Sequence, residues 1–248
     1  MLGSISTRFA RAASRFVRSR PAHVEWPSGA VSFTFDDFPK SALSAGGALL
    51  EKYGRRGTYY TSLALAGSAG DMGAMFDADD ARAAHARGHE LACHTHSHLN
   101  CSRTATGAIL ADIDENASAF AALLDGFAPV NFAFPFGALS LGAKHALAGR
   151  FASCRGIGWG INSGTIDLAN LSSTRIYSRD FDQVAVRRLI DRNRALGGWL
   201  IFYTHDVAPL PSSYGCTPAQ LEATIAYAAE RCEVLPVREV VGRLTPTA

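Results

Sequence analysis

The sequence predicts an α/β domain, a mostly parallel sheet or barrel covered by helices, and three observations lead there. Short β-rich runs alternate with helical stretches, titratable residues collect where three of those runs end, and no internal repeat or low-complexity linker interrupts the pattern. The expected strands are Val31 to Phe35, Thr58 to Leu63, Glu90 to Cys93, Val130 to Phe134, Phe151 to Cys154, Trp199 to Thr204 and Glu233 to Val237. Two helices carry clear end signals. Asp77 is placed to cap one that runs to about Arg87 and stops at Gly88, where glycine tolerates the left-handed conformation. Thr217-Pro218-Ala219-Gln220 forms a capping box with proline at the first helical position, opening a helix to about Arg231. The expected organisation is one domain over residues 25–248, preceded by an extension over residues 1–24.

Composition narrows the function. With 24 Lys+Arg against 22 Asp+Glu and a net charge of +2, the chain lacks the basic excess of a general nucleic-acid binder. No apolar run approaches the ~20 residues of a membrane-spanning helix. Cys93, Cys101, Cys154, Cys216 and Cys232 are an odd set with no CxxC spacing, which reads as free thiols in a reducing, cytoplasmic setting. The first 24 residues hold Arg8, Arg11, Arg15, Arg18 and Arg20 and no acid, and arginines recur where a secretory signal would be apolar. Apolar residues from Ile5 to Val17 fall at helical spacing, so residues 1–20 read as a basic amphipathic helix. Such a helix packs on the domain, or touches an anionic membrane surface at its periphery or an acidic partner.

The chemistry lies where strands end. Val31 to Phe35 leads into Asp36-Asp37, Leu91-Ala92-Cys93 into His94-Thr95-His96-Ser97-His98, and Leu200 to Thr204 into His205-Asp206. Carboxyl ends of parallel strands are where α/β barrels and open sheets build their sites. Successive side chains on extended backbone alternate faces, so Asp36 and Asp37 are expected to differ in role, one binding a metal and the other free as a base. His94 and His98 are four apart, a spacing that places two imidazoles on one side of a helical turn. With Asp37 they make a His/carboxylate set of the kind that holds a catalytic divalent cation, most often Zn²⁺, with one position open.

These residues carry a family resemblance. Thr34-Phe35-Asp36-Asp37, Gly88-His89-Glu90-Leu91 running into His94 to His98, Phe132-Ala133-Phe134-Pro135-Phe136-Gly137 and Leu200 to His205 resemble, in order, the motifs of the polysaccharide deacetylase family, also called the NodB-homology or carbohydrate esterase family 4 domain. The resemblance spans about residues 29–241. It implies a distorted (β/α) barrel of seven or eight strands and a divalent metal, usually zinc, that serves to hydrolyse N-acetyl groups on amino sugars. Carried over by position, Asp37, His94 and His98 bind the metal, Asp36 is the general base and His205 the general acid. The backbone N–H of Phe136, after Pro135, helps hold the oxyanion.

Two departures from the family pattern stand out. Where many members have an arginine that orients the aspartate base, two residues before the proline, this chain has Ala133, and Arg175 is the candidate replacement. The family's Asp-containing fourth motif is not recognisable, Gly160 to Thr165 occupying its region. Asp206 is expected either to orient His205 or to cap the next loop, His96 to point away from the metal, and Tyr214, in the loop after the His205 strand, to contact substrate. Cys93 reads as an inert small hydrophobe, Trp199 as core and Trp159 as a surface for sugar stacking. The expected function is N-deacetylation of a GlcNAc-containing oligosaccharide, polysaccharide or glycolipid. Hydrolysis of another C–N bond, as in allantoinase-like members, and a silent carbohydrate-binding barrel are the alternatives.

Overall fold

The structure, a computed structural model, describes residues 17–244. In chain order the first half contains β1 (Pro21–Val24), β2 (Ala30–Asp36), α1 (Ala48–Lys52), β3 (Thr58–Thr61), β4 (Ala69–Gly70), β5 (Gly73–Ala74), α2 (Ala78–Ala86), β6 (Glu90–Cys93) and α3 (Thr106–Leu123). The second half contains β7 (Asn131–Ala133), α4 (Leu141–Ala148), β8 (Ser153–Arg155), β9 (Gly164–Asp167), β10 (Thr174–Arg175), α5 (Gln183–Ala195), β11 (Trp199–Thr204), α6 (Pro218–Arg231), β12 (Glu233–Val234) and α7 (Val237–Arg243).

Strand β2 is buried along its whole length, as a strand covered on both faces must be. Around it an all-parallel sheet curls in the order β10-β11-β2-β3-β6-β7-β8, with β12 sharing an edge of β2 beside Ala30 and Val31. Among the described residues β8 and β10 end the path without pairing each other, so the barrel is open on one side. The expected distorted parallel barrel is therefore the observed fold.

Period-two alternation divides the strands between two environments. Phe33, Phe35, Tyr59, Leu91 and Phe202 point outward into one core under the helices, where Phe33 stacks on Phe202 and Phe35 on Tyr59. Their neighbours Asp36, Tyr60, Ala92 and Tyr203 alternate with them and, together with Ala133 and Arg155 of β7 and β8, fill the barrel interior. Of these, Tyr60, Ala92 and Ala133 form a small cluster of their own. Both predicted helix starts hold. Asp77 accepts from the backbone N–H of Asp79 and Asp80 in a full capping box, Gly88 follows the helix at φ 81°, and Thr217 and Gln220 cap α6 reciprocally.

Strand β1 lies before the expected domain start yet belongs to the fold. It pairs antiparallel with β9 and buries Ala22 and Val24 against Ile166 and Trp199. Four residues are too few to show alternation, and their partner lies far along the chain. Of the basic segment expected over residues 1–20, residues 1–16 lie outside the described residues. Among the described residues no helix is long and apolar enough to cross a membrane.

Candidate active site

The ends of β2, β6, β10 and β11 and the turns after β7 and β8 converge on a cleft of about 620 Å³. Asp36 is the last residue of β2, and the chain then leaves strand geometry, with Asp37 at φ 62° and Phe38 at φ 59°. Strand alternation alone would send the two carboxylates to opposite faces. The left-handed turn instead brings both into one cleft while giving them different partners.

His94 and His98 are brought together by a different device from the one expected. Residues 94–98 are not helical: Thr95 (φ 62°) and His98 (φ 55°) fold the segment back as a loop. Helix α3 holds it from outside, Asp112 accepting from the N–H of His96 at 2.6 Å and of Ser97 at 3.2 Å. Asn116 on the same helix donates to the Thr61 carbonyl and accepts from the Leu63 N–H, tying the neighbouring strand end. Neither residue carries a sequence signal, since each is a polar position on a helix with no motif around it.

Three donor atoms converge in this loop. One each from Asp37, His94 and His98 lie within 4.8 Å of one another, with His98 Nε2 at 3.1 Å and His94 Nε2 at 3.6 Å from Asp37 Oδ1. His94 Nδ1 lies 2.8 Å from the Ala133 carbonyl, an acceptor only, so Nδ1 carries the proton and the Nε2 lone pair faces Asp37. Burial pushes the His94 ring down to about 3, and also lowers His98, so both are neutral. Burial likewise pushes the Asp37 carboxyl up to about 6, with His205 opposing and Asp36 adding to the rise. Asp37 Oδ1 is buried and receives no hydrogen bond even from His98. The His94 lone pair and a partnerless carboxylate oxygen are turned toward one point, with His98 Nε2 beside them; the two repel one another, and a divalent cation at that point resolves the conflict. The donor set therefore fits such an ion.

Asp36 stands apart from that cluster. Its Oδ1 pairs with Arg155 Nη2, both residues being buried, and the guanidinium lies 4.8 Å from the Tyr60 ring and 5.1 Å from the Tyr203 ring. Burial alone would push the Asp36 carboxyl up. The charge and hydrogen bond of Arg155 outweigh burial and hold it below the ordinary carboxylate range. Arg175, expected in this role, instead pairs with exposed Asp180 at the rim, because β10 lies outside β11 and presents residue 175 to the cleft mouth. Ala133 and Arg155 are register partners on β7 and β8. The small side chain at 133 thus leaves room that the arginine of the next strand occupies. No motif marks Arg155; the one available signal was a lone arginine at the end of a buried strand.

His205, at the end of β11, has Nδ1 3.2 Å from the Tyr214 carbonyl and Nε2 3.9 Å from Asp37 Oδ2. Asp206 does not orient this ring. Its carboxylate accepts from the Ser212 N–H at 2.8 Å and from the Ser212 hydroxyl at 2.5 Å, clamping the loop that carries Tyr214. A Cβ on Gly215 would sit 2.4 Å from Asp206 Oδ1. Gly215→Ala is therefore expected to lower stability by about 1–3 kcal/mol by forcing the clamp apart. Thermal unfolding checks this, and an unchanged midpoint contradicts it.

The remaining expected site residues are also placed. Pro135 is buried, and Phe136 at φ 59° sets its ring edge-on to His98, with centroids 4.4 Å apart. Tyr214 is half exposed and lines the cleft. His96 faces Glu115, away from the donor cluster. Trp199 is buried and donates to Ser32, Trp159 lines a neighbouring cavity of about 220 Å³, and all five cysteines are buried and free.

The chain belongs to the polysaccharide deacetylase family, whose model matches residues 23–148, just over half of its length. The fold is shared with the chitin deacetylase of Colletotrichum lindemuthianum at a TM-score of 0.61 and 18% identity, covering 89% of this chain and 90% of that one. A family 4 carbohydrate esterase from Streptomyces lividans, solved with acetate, aligns at 0.54 and 20% identity over 82% and 87% of the two chains. BA3943 of Bacillus anthracis, described as a family 4 pseudoenzyme, aligns at 0.60 and 13% identity over 90% and 68%. No curated protein sequence gives a significant match.

Proposed function

We propose that the chain is a metal-dependent hydrolase that removes N-acetyl groups from a GlcNAc-containing oligosaccharide, polysaccharide or glycolipid. The observation that carries this reading is the division of labour in one cleft. Two neutral histidines and the Asp37 carboxylate form one donor set, beside a second carboxylate that is kept ionised by its own arginine. In this reading Asp37, His94 and His98 hold one divalent cation, Zn²⁺, which when bound supplies the Lewis acidity that polarises an acetamide carbonyl and acidifies water.

The chain's own groups do the rest. Asp36, low in pKa and fixed by Arg155, takes the proton of the attacking water. His205 keeps Nδ1–H on the Tyr214 carbonyl and turns Nε2 into the cleft, where as an imidazolium it delivers a proton to the departing amine. Phe136, in its left-handed conformation after Pro135, presents the backbone N–H to the developing oxyanion. Arg155 is a positioning residue that fixes the orientation and charge state of Asp36.

Metal content of the purified chain, measured together with acetate release from chito-oligosaccharides with and without chelator, tests the proposal. About one zinc per chain and chelator-sensitive acetate release are expected. Bound metal without release would move the reading to another amide substrate, and no metal would leave a silent binding barrel.

A further inference from the structure

The cleft is asymmetric in charge. Leu65, Met72 and Met75 from the segment around the β4–β5 hairpin form an apolar wall, and Arg175 and Arg179 stand beside Tyr177 and Tyr214. The acids lining the cleft are Asp36, countered by Arg155, and Asp37, placed in the donor cluster. Asp180 neutralises Arg175 and lines the neighbouring cavity instead. Among the described residues no carboxylate lies within ion-pair distance of Arg179. Yet Arg179 is not loose. Its guanidinium carbon lies 5.3 Å from the Tyr177 ring and 5.7 Å from the Tyr214 ring, and those two rings meet edge-to-face at 5.9 Å. The Tyr214 ring in turn lies 5.6 Å from that of His205.

From this geometry we infer that Arg179 receives an oxyanion substituent of the substrate, so that the preferred amino sugar is anionic and carries a carboxylate or phosphate. The inference rests on the deacetylase reading and deepens it. An arginine held on aromatic faces keeps its N–H fork free in the plane, the geometry that matches carboxylate and phosphate oxygens. Tyr214 joins it to His205, which sets the charged group toward the acetamide end of the sugar, and the apolar wall of the cleft offers an anion no partner.

The full chain is titrated at low salt with N-acetylglucosamine 1-phosphate, an N-acetylhexosaminuronate and neutral N-acetylglucosamine. At least one anionic sugar is expected to bind about tenfold tighter than the neutral one, the advantage shrinking as salt rises. Which of the two does so separates phosphate from carboxylate. Arg179→Gln brings anionic binding down to the neutral level, and Arg179→Lys restores part of the advantage. Equal binding of all three sugars, or a preference that survives Arg179→Gln, overturns the inference. Acetate release from neutral chito-oligosaccharides, followed in parallel, reports on the deacetylase reading alone.

Discussion

Asp36→Asn is expected to lower turnover by about 10²–10⁴-fold while leaving the metal content of the chain unchanged, whereas His94→Ala lowers both. The contrast follows from where the two carboxylates point. Asp37 is the one whose oxygen faces His94 and His98, and Asp36 is turned toward Arg155. The amide of Asp36→Asn is isosteric and still offers Arg155 an oxygen acceptor, so the fold is retained, but it has no basicity for a proton. His94→Ala removes one of three donors together with the ring that hydrogen-bonds the Ala133 carbonyl. Metal analysis and acetate release on the same preparations check both variants. Equal metal loss in the two would reverse the assignment of roles.

Arg155→Met is expected to move the acid limb of the pH–activity profile upward by about 1–3 pH units and to cost about 3–5 kcal/mol in stability. The sign follows from the balance at Asp36. Burial raises its pKa and the guanidinium overcomes that rise, so removing the guanidinium leaves burial in control. The base then holds its proton to higher pH, and activity that requires it ionised appears later as pH increases. The stability loss arises because Asp36 becomes a buried charge with no countercharge at 155. Arg155→Lys keeps the charge without the fork, so it is expected to shift the limb less and to fold where the methionine variant does not. An acid limb unmoved in both would show that another group controls Asp36.

Much of this site was legible in the chain, for a definite reason. Asp36-Asp37, His94 to His98 and His205 each follow a short apolar run, and the carboxyl end of a parallel strand opens onto the site in folds of this type. Capping at Asp77 and Thr217 was equally local, resting on contacts within three residues. The local geometry differs from the one expected, yet the residues still meet in one cleft. His94 and His98 meet through a loop with two left-handed residues, and Asp36 and Asp37 share a cleft because the chain turns left-handed at 37.

The sequence by itself determined the parallel α/β architecture, the strand-end cluster of titratable residues and the two capped helices, because alternation, caps and strand ends are written in neighbouring positions. Only the tertiary structure decided which arginine meets Asp36. Arg155 lies 119 residues further along the chain and arrives through the register of β7 with β8, opposite an alanine. The same holds for the loop supports on α3, for the clamp of Asp206 on Ser212, and for Arg179 on its two tyrosines. Such partners are fixed by how strands and helices close in space, and no short-range pattern encodes that closure.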